Sequence, residues 1–143
     1  MGKYRGGSAG WLIYTILGIA LVLSAGCSSE KVKRGAVEGS VKANGEPVEM
    51  GTILFVSATD GVSAGGEIKA GRYSLSKTDG AAIGKQRVEI RGSRKTGKKL
   101  VDKSGKENDE IKEFVPAQYN MSSTLTAEIE GGKNVKDFDL KIP

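Results

Sequence analysis

The chain of 143 residues contains no histidine. Without an imidazole, Ser-His-Asp and Cys-His catalysis are excluded, and zinc loses its usual nitrogen ligand. The single cysteine, Cys27, excludes an internal disulfide. The formal charge is only +5. Lys3 and Arg5 lie near the start; without them 20 basic residues face 17 acidic ones, a balance of +3. That is far from the profile of a nucleic-acid-binding protein. No apolar run reaches the roughly 20 residues of a membrane-spanning helix. Proline is scarce, at 3 residues, whereas glycine is abundant, at 21. That balance suits a fold of many turns better than a helical bundle, and the length leaves room for one domain.

Lys3 and Arg5 form a short positive segment ahead of "WLIYTILGIALVL", Trp11 to Leu23. This run has the size of a signal-peptide core. Ser24, Ala25 and Gly26 follow, and then Cys27. The stretch "LVLSAGC" resembles the lipobox of bacterial lipoproteins: a leucine, small residues, then cysteine. In that family the leucine lies three before the cysteine; here Ser24 holds that place and Leu23 precedes it. The resemblance implies a diacylglycerol on the Cys27 thiol, cleavage before Cys27 and acylation of the new amine. An uncleaved anchor and plain secretion with an incidental cysteine are the alternatives. Each puts the rest of the chain outside the cytoplasm, in the periplasm or at the outer membrane or cell surface. Residues 1–26 thus read as signal peptide, and 27–35 as a flexible polar tether without hydrophobic period.

From Ala36 the apolar residues recur with the period of two expected of half-buried strands. Val37, Gly39 and Val41 alternate with Glu38, Ser40 and Lys42. Asn44-Gly45 is a strong hairpin signal, because both residues tolerate positive φ. "TILFVS" (52–57) is nearly continuously apolar, as for a strand covered on both faces. Residues 64–69 and 72–77 flank Ala70-Gly71 as a second hairpin, with Tyr73 and Leu75 on one side. "KQRVEIR" (85–91) presents Val88 and Ile90 to one face, "TLTAEIE" (124–130) presents Leu125, Ala127 and Ile129, and "VKDFDLKI" (135–142) presents Phe138, Leu140 and Ile142. Seven such strands, with turns about every 8–12 residues, predict a seven-stranded antiparallel β-sandwich over residues 36–143 with immunoglobulin-like architecture. The expected class is therefore all-β, after an N-terminal signal helix.

"VEGSVKANGEPVEMGTILFV" resembles the opening of the carboxypeptidase regulatory-like, transthyretin-like sandwich: Val-x-Gly-x-Val, Asn-Gly-x-Pro, then Gly-x-Ile-x-Phe. "GGEIKAGRYSLS" resembles its central hairpin, in which Gly-x-Tyr-x-Leu seats a tyrosine in the core. "FVPAQYNMSSTLTAEIEGG" with "FDLKI" resembles the end of small lipoproteins abundant in planctomycete bacteria. These are turn and core residues, which specify fold rather than activity. The resemblance implies an accessory binding, stalk or structural module without catalytic residues. The catalytic alternative, a small transthyretin-like hydrolase, relies on histidines that this chain lacks. One departure is Gln86-Arg87, where the family often has an aromatic residue; it predicts a more solvated strand edge.

Residues 92–123 show no strand period and read as a long loop, of the kind that is usually functional or disordered. Its beginning is basic: Arg91, Arg94, Lys95, Lys98, Lys99, Lys103 and Lys106 against Asp102. Its continuation is acidic: Glu107, Asp109, Glu110 and Glu113 against Lys112. The plain expectation is a solvated loop whose charges pair with one another. The functional expectation is that the seven basic residues bind an anionic envelope partner, such as an acidic protein, glycan or lipid headgroup. Nucleic acid is not expected, since no aromatic residue interleaves with the basic run to stack on bases.

"GSRKTGKK" (92–99) has Gly-x4-Gly-Lys spacing, but Lys99 stands where a phosphate-binding loop needs a hydroxyl for magnesium. "SLSK" (74–77) lies on a strand, where residues three apart face opposite sides. Asp102, Glu107, Asp109 and Glu110 are oxygen ligands suited to calcium in type, although not in spacing. No metal or cofactor is expected. The partners expected are a membrane, through lipid on Cys27, and an envelope protein or anionic glycan.

Overall fold

The computed structural model describes Gly2 and residues 31–143. The expected signal helix, apart from Gly2, and Cys27 lie outside the described residues. The strands are β1 (Arg34–Ala43), β2 (Glu46–Pro47), β3 (Met50–Ser57), β4 (Ser63–Lys69), β5 (Arg72–Leu75), β6 (Ala81–Ala82), β7 (Gly84–Val101), β8 (Glu107–Glu113), β9 (Thr126–Ile129), β10 (Lys133–Val135) and β11 (Phe138–Leu140). A short 3-10 turn spans Ala117–Tyr119. The domain is all-β, and its sheet, mostly antiparallel, curls into a half-barrel. The main path runs β10-β1-β5-β4-β3-β7-β8, with β9 also on β7.

Alternation builds the core. Val37 and Val41 of β1, Ile53 and Phe55 of β3, Tyr73 and Leu75 of β5, Val88 and Ile90 of β7, and Ala127 and Ile129 of β9 are all buried. The expectation that β3 is covered on both faces holds for only one. Ile53, Phe55 and Ser57 are buried, while Leu54 and Val56 are half-buried. The β1–β2 hairpin turns at Asn44 (φ 52°) and Gly45 (φ 87°), the left-handed pair its dipeptide signals. Ala70 also takes positive φ (49°), where an L side chain is strained.

β1 is the organising strand. One edge pairs antiparallel with β6, β5 and β2 in turn. Its other edge pairs in parallel with β10 and β11, a departure from the all-antiparallel expectation. The single strand expected over 135–142 instead starts at Lys133 and breaks at Lys136–Asp137. The break has a local cause: Ser40 N–H and Oγ–H both donate to Asp137 Oδ1, each at 2.7 Å. The side chain thus replaces a ladder carbonyl. Asp137 and Asp139 therefore hold backbone rather than merely facing solvent, for Gly45 N–H donates to Asp139 Oδ1 at 3.0 Å.

The curl is held by Asn134, which is buried between β9 and β1. Its Nδ2 donates to the carbonyls of Ala36 and Glu130, both at 3.0 Å, and its Oδ1 accepts from Glu130 N–H at 2.9 Å. β9 lies on β7 and β10 lies on β1, so the turn between them joins distant parts of the sheet. Gln86 is a further correction. It is fully buried, not at a solvated edge, and its Nε2 donates to the Ala82 carbonyl at 2.9 Å.

Candidate binding arm and the cleft at its base

The segment expected as a loop from 92 to 123 is largely strand. β7 runs on to Val101, and β8 returns beside it from Glu107 to Glu113. The two strands form an arm that leaves the curled sheet where Met50 pairs with Ser93. Only its base touches the core, through Phe114 and the buried Val115. The outer part buries no core, which is why no hydrophobic period marks it. Charge holds it instead. The register sets Ser93 opposite Glu113, Lys95 opposite Ile111 and Lys99 opposite Asp109, with a bulge between Lys95 and Lys99. The basic run is therefore laid against the acidic run.

The seven basic residues divide into two groups. Arg91 reaches Glu113 at 3.8 Å, Lys95 reaches Asp109 at 2.7 Å, and Lys99 pairs with the same Asp109. Arg94 lies over the Phe114 ring, 5.2 Å from its centroid, in a cation–π contact. Lys98, Lys103 and Lys106 make no ion pair among the described residues. The structure thus ties down four cations along the arm and leaves three around its tip.

Hydrogen bonds from Lys95 and Lys99 push the Asp109 carboxyl down to about 2, and the same contact raises the Lys95 ammonium. At the tip, Asp102 is held below the usual carboxylate range by the Ser104 hydroxyl and by the backbone amides of Lys106 and Ser104. These carboxylates are already engaged by protein donors. Glu110 likewise lies 3.7 Å from Lys112. Among the described residues no group of three or more His, Cys, Asp or Glu side chains converges as for a metal ion. The Gly-x4-Gly-Lys stretch lies on β7 and its bulge, and β8 rather than a helix follows it.

At the base of the arm a cleft of about 820 Å³ opens between it and the β1–β2 turn. Arg94 and Phe114 form one wall, with Asn44, Pro47, Glu49 and Ile142 among the others. The stack on Phe114 fixes the Arg94 guanidinium at this wall. The basic run made Arg94 visible in the sequence, but nothing there placed it beside Glu49 or Phe114. Sequence reasoning also missed three exposed aliphatic side chains on the arm, Leu100, Val101 and Ile111. The signal for Leu100 and Val101 was present in "KKLVDK", apolar residues set among lysines.

Among the described residues no helix is long and apolar enough to cross a membrane. Comparison of the chain with protein-family models, curated proteins and solved structures finds no match.

Proposed function

We propose that the chain is an exported, non-catalytic module, lipid-anchored through Cys27, that binds an anionic envelope partner through the β7–β8 arm. Its domain is assigned to the seven-stranded transthyretin-like, carboxypeptidase regulatory-like sandwich class. The observation that carries this reading is the arm itself. An 18-residue strand, far longer than its neighbours, continues past the core, and with the turn that follows it presents Lys98, Lys103 and Lys106, which make no ion pair among the described residues. The catalytic alternative, a small transthyretin-like hydrolase, relies on histidines that this chain lacks. The address rests on "LVLSAGC" and the apolar run before it.

Two measurements test this. Mass spectrometry of the full chain from a bacterial membrane fraction should find an amino terminus at Cys27 carrying acyl mass, and Cys27→Ser should abolish it. An unmodified amino terminus elsewhere would remove the lipoprotein assignment. Separately, Lys98→Glu with Lys103→Glu should abolish retention on a polyanion matrix while leaving the melting temperature nearly unchanged, because neither lysine makes an ion pair among the described residues. Unchanged retention would favour a purely structural role.

A further inference from the structure

The tip of the arm narrows the partner, on the reading that the arm binds an anionic one. Leu100 and Val101 are adjacent on β7 and 54% and 66% exposed. Adjacent strand residues leave opposite faces. Val101 therefore shares its face with Glu107, and Leu100 shares the other with Asn108. A protein or polymer laid on one face of the arm covers one of the two and leaves the other wet. A lipid interface surrounds a hairpin tip and covers both at once.

The charges follow the same plan. Lys98, Lys103 and Lys106 flank the two aliphatic side chains along the chain, and Glu107 lies opposite Val101. The one acidic residue in the turn, Asp102, is exposed but engaged by donors of its own loop. Asp102 Oδ1 accepts from Ser104 N–H at 2.8 Å, Ser104 Oγ–H at 2.6 Å and Lys106 N–H at 3.0 Å. Asp102 Oδ2 accepts from Asn108 Nδ2 at 3.3 Å. Apolar side chains flanked by unpaired lysines suit the boundary between acyl chains and anionic headgroups.

We propose that residues 98–106 dip into an anionic lipid surface, Leu100 and Val101 entering between headgroups while the three lysines contact phosphates. The tether enters the domain at Val32–Arg34, where Arg34 pairs with Ala82, next to the start of β7. The tip lies at the other end of that strand.

The test uses residues 32–143, which hold every described strand and the whole core and form one compact unit. The acylated full chain would bind any vesicle. Cosedimentation is measured with vesicles of phosphatidylcholine alone and with about 30% phosphatidylglycerol, and retention is measured on soluble dextran sulfate. Binding is expected only to the anionic vesicles. Each of Lys98→Gln, Lys103→Gln and Lys106→Gln, which removes one positive charge, should weaken it about fivefold. Leu100→Ser with Val101→Ser should weaken vesicle binding at least about fivefold and leave dextran sulfate binding unchanged. Val101→Ser alone, at the more exposed site, serves if the double variant melts early. Vesicle binding that ignores the serine substitutions overturns insertion. Dextran sulfate binding without vesicle binding overturns the lipid partner and leaves the anionic partner standing. Binding to neither overturns both.

Discussion

Lys95 and Asp109 meet across β7 and β8, Nζ to Oδ2 at 2.7 Å, and the same carboxylate also takes Lys99. One aspartate thus fastens two lysines of a basic run that would otherwise repel itself. The contact fixes which cations are spent on the arm's own structure and which remain for a partner.

This contact makes the arm sensitive to acid. The Asp109 carboxyl titrates at about 2 in the folded arm, against 3.8 for an unperturbed one, because Lys95 and Lys99 hydrogen-bond its ionised form. Its stabilising effect is complete above about pH 4 and is lost as the pH falls through about 2. Between these values, amide exchange in 93–101 and 107–113 should accelerate relative to intrinsic rates, while β3 stays protected. The carboxyl is exposed, so global stability should change little. Uniform loss of protection across the whole sheet would contradict a locally fastened arm.

Gly39 sits where β10 and β11 break away from β1. A Cβ there would lie 1.9 Å from the Lys136 carbonyl oxygen and 3.2 Å from Tyr73 Oη. Backbone cannot yield as a side chain can. Gly39→Ala should lower the unfolding free energy by roughly 2–3 kcal/mol in urea denaturation. A change under about 0.5 kcal/mol would mean that the close approach is absent.

Tyr73 anchors the same carbonyl from the core. Its hydroxyl donates to the Lys136 oxygen at 2.7 Å, and its ring packs 6.0 Å from that of Phe55. Burial, aided by the Asp137 charge, raises the phenol well above its ordinary value of 10. The folded state therefore holds the proton more tightly than the unfolded chain, and stability should fall as the pH rises above 10. Tyr73→Phe should cost about 1–2 kcal/mol at neutral pH and remove this part of the alkaline loss. An unchanged alkaline slope would point to other groups.

Much of the domain was legible in the sequence because one face of each strand is buried. Val37 and Val41, Tyr73 and Leu75, and Val88 and Ile90 alternate for that reason, and Asn44-Gly45 marks its turn by backbone chemistry. The arm was not legible. Both of its faces are wet, so nothing alternates, and its pairing is written in charges whose partners depend on register. The break at Asp137 was hidden because its cause, the Ser40 amide, lies far away in sequence. Gln86 misled because its Nε2 finds a local carbonyl inside the core, so a polar residue could be buried. The basic run identified the seven candidate cations, but not the division between Asp109-bound lysines and those at the tip. That division needs the hairpin.

The most direct measurement is in-cell photocrosslinking from position 98, with position 85 at the other end of β7 as the reference. Adducts are separated into protein, glycan and lipid by mass spectrometry. The result expected is a lipid or anionic envelope adduct from position 98 and none from position 85. No adduct from 98, or equal yields from both positions, would contradict the arm as the binding element.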